Sequence, residues 1–218
     1  AGAKASQIVG LSYSSQANTF LLLDQRDQPL TPLVVWTDER GDPVERALER
    51  FSNAAEFGQR IGFRGISGAW AVAKWRWWQR KDPQLWAKAH RVMTLPDYLT
   101  YSLTGERVGD ASTAAFLGLY DLVGRKWWPD ALSAFEMDPD QLSEPLLPGT
   151  RCGRTREGAT VRLGLPAGIP FTVGGLDHHV ASLGSGLGWL GEISISTGTV
   201  LAAMALVDEV IPQSGCYH

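Results

Sequence analysis

Asp177 ends an apolar, glycine-closed run, Phe171-Thr-Val-Gly-Gly-Leu, and is followed at once by His178 and His179. Further along, Ser196-Thr-Gly198-Thr199 offers hydroxyl and backbone N–H donors on a glycine turn. A carboxylate so placed can hold an attacking hydroxyl in line with a phosphoryl group and take its proton late in a loose transition state. A glycine-threonine turn lets the backbone come close to a phosphate. Together the two segments point to phosphoryl transfer. Each also has an ordinary structural explanation: Asp is a favoured helix N-cap, and Ser-Thr-Gly-Thr between apolar strands is a common hairpin turn.

The elements that must position these groups can be read around them. Thr172-Val-Gly-Gly reads as a buried strand and His179–Gly184 as a helix, which puts Asp177 at a strand-to-helix junction, where open α/β sheets bind ligands. Glu192–Thr197 and Val200–Leu206 read as strands paired across Gly198-Thr199. Near the start, Gln7–Ser12 and Thr19–Asp24 read as strands joined by a polar connector that ends in Gln16-Ala-Asn18, and Val34-Val35-Trp36 continues the β character. Asp42, Pro43 and Glu45 predict a capped helix start, with Val44, Ala47, Leu48 and Phe51 at helical spacing behind it.

A largely helical middle is expected from Trp70 to about Phe135, broken at Asp82-Pro83, Leu95-Pro96, Thr104-Gly105 and Trp128-Pro129, with strand character resuming only at Phe171. The Pro- and Gly-rich passage Glu144–Gly168 reads as an irregular crossing. The order of strand pair, helices, strand, helix and hairpin indicates an α/β fold with a long helical insertion.

Composition narrows the function classes. The 218 residues carry a net charge of −3 with both signs scattered, which argues against nucleic acid or an anionic membrane as a partner. Cys152 and Cys216 lie far apart, so neither a disulfide framework nor a zinc site is indicated. No apolar stretch approaches the roughly 18 residues needed to span a bilayer, and no signal-peptide layout is seen; cytoplasm is the expected location. Gly186-Leu-Gly188-Trp-Leu-Gly191 satisfies the dinucleotide glycine pattern, yet it follows a helix and precedes a strand, the reverse of the order that fold needs. No P-loop run occurs. Of the nine tryptophans, five fall between Trp70 and Trp86. Most are expected in the core, although a flat indole face also suits the C–H surface of a sugar.

Several spaced motifs then appear in order: Val9-Gly-Leu-Ser, Gln16-Ala-Asn18, Leu23-Asp24, Trp36-Thr-Asp38-Glu-Arg40, Lys74 before Trp77, Asp97-Tyr98-Leu99, Leu103-Thr-Gly105-Glu, Asp110-Ala-Ser112, Gly153-Arg-Thr155, Gly164-Leu165, Gly168-Ile-Pro170, Gly174-Gly-Leu-Asp177 and Ser196-Thr-Gly198-Thr199. From Ile8 to Val200 the set resembles the FGGY family of carbohydrate kinases, which includes xylulokinase, gluconokinase and glycerol kinase.

The resemblance implies an actin-like (ribonuclease H-like) ATPase fold, with two domains closing over a cleft. Residues 1–190 would be most of the sugar-binding first domain, without its first phosphate-binding hairpin, and 191–218 the start of the ATP-binding second domain. It implies ATP and Mg²⁺ as cofactors, a sugar or polyol as substrate, and is compatible with a homodimer.

Residue by residue, Asp177 matches the family's catalytic base, and Gly198-Thr199 matches a turn that approaches the ATP phosphates. Asn18 falls where xylulokinases carry a substrate-touching His and glycerol kinases a Glu, and Gln16 matches a glutamine common to both. Trp70 lies near a substrate-facing aromatic. Asp38 and Arg40 match a W-x-D-x-R motif, whose alternatives are substrate contact and a structural ion pair. Where relatives often carry Asn, Gln or Ala after the base, His178 and His179 stand here; one is expected to face substrate and the other to pack on the helix. The expected activity is transfer of the ATP γ-phosphoryl group to a sugar or polyol hydroxyl. The alternative is a non-catalytic sugar-binding or regulatory module on the same fold. The 218-residue piece alone is expected to be inactive.

Overall fold

Phe20–Leu23 is a strand of four consecutive apolar residues, none more than 3% exposed. A continuous apolar run is what a strand covered on both faces requires. Phe20 and Leu22 face the main core, with Phe57, Trp75, Trp78 and Phe135, while Leu21 and Leu23 pack with Met93 on the other side. The strand pairs antiparallel with Arg91–Thr94, Phe20 opposite Thr94. The computed structural model describes residues 4–198 and 200–209, so Thr199 and Cys216 lie outside the described residues.

The proline and glycine signals mark real helix ends. The helix Ala71–Lys81 buries Val72, Trp75 and Trp78, and the Asp82 carboxylate then accepts from the Leu85 N–H to start Pro83–Trp86. Leu95–Thr104 opens on a capping box of Thr94 and Asp97 and closes on Gly105 at φ 88°, a left-handed conformation suited to glycine. Pro129–Ala134 begins one residue after Trp128.

Three expectations need correction. The middle is not wholly helical: it contains Arg91–Thr94, Val108–Asp110 and the hairpin of Tyr120–Asp121 with Lys126–Trp127. Strands of two to four residues are too short to impose a readable period. The crossing is not irregular either. It holds Glu144–Leu146, paired in parallel with Val108–Asp110, then Arg151–Arg154, paired with Pro170–Thr172, and the helix Glu157–Leu163. Finally, Asp42 does not cap a helix. Its carboxylate accepts from the Gly68 N–H at 2.9 Å, and the helix Arg46–Asn53 starts after Glu45, whose own carboxylate pairs with Arg76 and Arg80. Partners distant in sequence have displaced the local cap.

The expected first strand is also displaced along the chain. Ala5–Gln7 forms a 3₁₀ turn, Leu11 bridges Phe171 in parallel, and the strand proper is Ser14–Ser15, paired in parallel with Gly175–Leu176. Leu11, Tyr13 and Ser15 turn inward while Ser12 and Ser14 are exposed. The alternation is therefore real but written largely in polar residues. The strand Ile193–Thr197 pairs antiparallel with Leu201–Ala205, as the sequence predicts. Among the described residues no helix is long and apolar enough to cross a membrane.

Candidate active site

Close backbone approach delivers Asp177 to its position. A Cβ added to Gly174 would fall 1.9 Å from the Tyr13 carbonyl oxygen, so only glycine fits as the chain runs into Gly175–Leu176. Leu176 holds the N-cap position, and Asp177 is the first residue of the helix Asp177–Gly184. The Asp177 carboxylate accepts from the His178 N–H at 2.8 Å. The N-cap alternative thus fails on position, and the half-buried carboxylate keeps lone pairs free for a hydroxyl donor.

The facing turn, Gln16-Ala17-Asn18, leaves the strand that pairs with Leu176. Asn18 adopts φ 57°, a left-handed conformation that asparagine tolerates better than most residues. Its Oδ1 accepts from the Ala71 N–H at 3.0 Å, so Asn18 also holds the start of the Ala71–Lys81 helix. Lys74 Nζ donates to the carbonyls of Asn18 (3.3 Å) and Val35 (2.8 Å). Lys74 is wholly buried, and burial pushes its pKa down to about 8. Gln16 Nε2 donates to Thr19 Oγ1 at 2.9 Å, an oxygen that also accepts from the Trp36 N–H.

These segments border a cleft of about 660 Å³ that brings together Gln16, Asn18, Asp177, His178 and Gly198. The hairpin forms its opposite wall, through Ser196 and Leu201–Met204. Trp36 and Phe116, which are not among the expected site residues, also line it, and so does His179, so that both histidines border the cleft where one is expected to pack on the helix. Trp36 could have been found from the motif it opens, whereas nothing in the sequence around Phe116 marks it. Burial holds the His179 imidazole below its ordinary pKa, favouring the neutral ring.

Trp70, Asp38 and Arg40 do not line this cleft. Trp70 stacks with Phe63 and Phe116 at centroid distances of 4.4 and 6.0 Å, so Phe116 presents the aromatic face and Trp70 stands behind it. Arg40 grips Asp38 through Nε and Nη2, the shortest contact being 2.7 Å, and its guanidinium lies 4.4 Å over the Trp78 ring. The hydrogen bond from Arg40 holds the Asp38 carboxyl below the usual carboxylate range. The pair braces the end of the strand region against the Ala71–Lys81 helix.

Asp177 is the one carboxylate lining the cleft among the described residues, and no cluster of three His, Cys, Asp or Glu side chains there is placed to hold a metal. One carboxylate can take part in holding a hard divalent cation that keeps several waters and is otherwise bound by substrate phosphates, and Ser196 adds a hydroxyl on the opposite wall.

The profile of the FGGY family of carbohydrate kinases, N-terminal domain, matches residues 1–184. The chain belongs to the FGGY family. Among relatives of this FGGY chain, the xylulose kinase of Lactococcus lactis is 28% identical over 201 residues, covering 90% of this chain and 39% of the relative. The gluconokinase of Bacillus subtilis is 28% identical over 200 residues, with coverages of 91% and 39%. The structure of gluconate kinase from Lactobacillus acidophilus superposes with a TM-score of 0.84 at 20% identity, covering 92% of this chain and 41% of that one. At this identity the likeness speaks for the fold, which is the actin-like ATPase fold. The chain spans about 40% of the length of these relatives.

Proposed function

We propose that the protein carrying this FGGY domain is an ATP-dependent kinase of a sugar or polyol. The observation that carries the reading is the convergence in one cleft of an acid at a helix start, Asp177, two amides, Gln16 and Asn18, and the Gly198 turn. Asp177 would hold the acceptor hydroxyl, orient it and take its proton. Gln16 and Asn18 would bind neighbouring hydroxyls, with His178 beside them and Phe116 and Trp36 supplying faces for the C–H surface. Gly198, with Thr199 outside the described residues, would let the backbone approach the phosphates. Mg²⁺ bound with ATP would neutralise phosphate charge. Residues 1–190 would form the sugar-binding domain, and 191–218 would begin the ATP-binding one.

The test is a panel of sugars and polyols scored by ATP consumption with the full-length protein, repeated with Asp177→Asn. The reading expects turnover on at least one panel member, and a loss of about 10²- to 10⁴-fold in kcat for the variant with smaller changes in substrate affinity. Wild-type turnover in Asp177→Asn would reduce this carboxylate to a structural role.

A further inference from the structure

We propose that Ser112, held by the buried carboxylate of Asp110, is a positioning residue for Asp177. The proposal rests on the reading of Asp177 as the base. Ser112 does not line the cleft. Its Oγ accepts from the Leu176 N–H at 2.9 Å, and its hydroxyl donates to Asp110 Oδ1. Leu176 is the residue from which the chain leaves the sheet and enters the Asp177 helix.

The direction of this relay is fixed by its buried end. Asp110 is 1% exposed, and among the described residues its oxygens take hydrogen bonds from three groups: Ser112, the Thr113 N–H at 2.7 Å and the Tyr13 hydroxyl at 3.1 Å. A carboxylate only accepts, so the single Ser112 proton is committed to it and the Ser112 lone pairs are left for Leu176. A hydroxyl that donates to a carboxylate is also a stronger acceptor in turn.

Asp110 thereby ties down both strands at the cleft floor. Through Tyr13 it holds the residue that leads into Ser14–Ser15, and through Ser112 it holds Leu176 in the paired strand. The glycines between them permit the approach: a Cβ on Gly175 would meet Ser112 Oγ at 3.3 Å. Asp177 follows Leu176 directly, so a shift of this backbone moves the carboxylate with it. A displacement of about 1 Å at a reacting group can cost on the order of 10²-fold in rate.

The experiment is a double-mutant cycle on the full-length protein, measuring kcat and KM for wild type, Ser112→Ala, Ser112→Thr, Asp177→Asn and the double variant of Ser112→Ala with Asp177→Asn. Ser112→Ala is expected to lower kcat about 10- to 100-fold, with KM for ATP unchanged. Ser112→Thr keeps the hydroxyl and is expected to restore most of the loss. In the Asp177→Asn background, Ser112→Ala is expected to cost less than about threefold, because the group it positions is already gone. Equal costs in both backgrounds, or a lowered melting temperature with unchanged kcat, would overturn the proposal and leave the kinase reading standing. No wild-type turnover on any sugar would overturn both. If Ser112→Ala does not fold, Tyr13→Phe replaces it in the cycle, with the same non-additivity expected.

Discussion

Asp97 supplies a sharp test of the buried acid pair beneath the cleft. Its carboxylate accepts from the Thr94 N–H and lies near Asp110, and a Cβ on Gly109 would fall 2.1 Å from its Oδ1. Burial, with the Asp110 charge adding to it, raises the Asp97 pKa from 3.8 to about 7. Between those values the folded protein holds a proton that the unfolded chain releases, so the contribution to stability is complete below about pH 4 and is lost as pH rises through about 7. At about 1.4 kcal/mol per pH unit the full loss is about 4 kcal/mol, of which about 3 kcal/mol falls between pH 5 and pH 8. Asp97→Asn keeps an acceptor for the Thr94 N–H and cannot ionise. Urea unfolding followed by tryptophan fluorescence across that range should therefore show the wild type losing about 3 kcal/mol relative to the variant. Parallel pH profiles for the two proteins would refute the assignment of a proton to Asp97.

Other substitutions probe the walls and the braces. Asn18→Ala removes the acceptor for the Ala71 N–H and one amide from the cleft; it should cost about 1 kcal/mol in unfolding and raise the sugar KM while leaving the ATP KM alone. Arg40→Lys keeps a charge but loses the bidentate grip on Asp38 and the stacking on Trp78. It should lower stability by about 1 kcal/mol with sugar KM unchanged, and a large KM rise would instead put the pair on substrate. Phe116→Ala should raise the sugar KM. Trp70→Ala should act first on stability, by about 3 kcal/mol, measured by the same urea titration.

What the sequence makes legible is whatever is encoded locally. The proline and glycine punctuation at Asp82-Pro83, Leu95-Pro96 and Gly105 survives folding because each such residue constrains its own backbone. The Asp177 junction is legible for the same reason: glycines end a buried apolar run and a helical pattern starts. The short parallel strand Ser14–Ser15 is not, because both its residues are serine and its partner, Gly175–Leu176, lies about 160 positions away. Asp42 misleads because a strong local capping signal yields to the distant Gly68 N–H. Phe116 stands where Trp70 is expected, because aromatic residues look alike in sequence and only their stacking order decides which one faces the cleft.

The pairing of Ser14 with Gly175 also sets a timetable for biosynthesis. The two residues are about 160 positions apart, and at roughly 5–20 residues per second a ribosome reaches the second about 10–30 s after the first. The core strand Phe20–Leu23 can pair with Arg91–Thr94 well within that interval. The floor of the cleft cannot close until Gly175 and Leu176 have emerged. During synthesis Ser14–Ser15 therefore waits without its partner until most of the domain has been made, and Leu11, which bridges Phe171, waits with it.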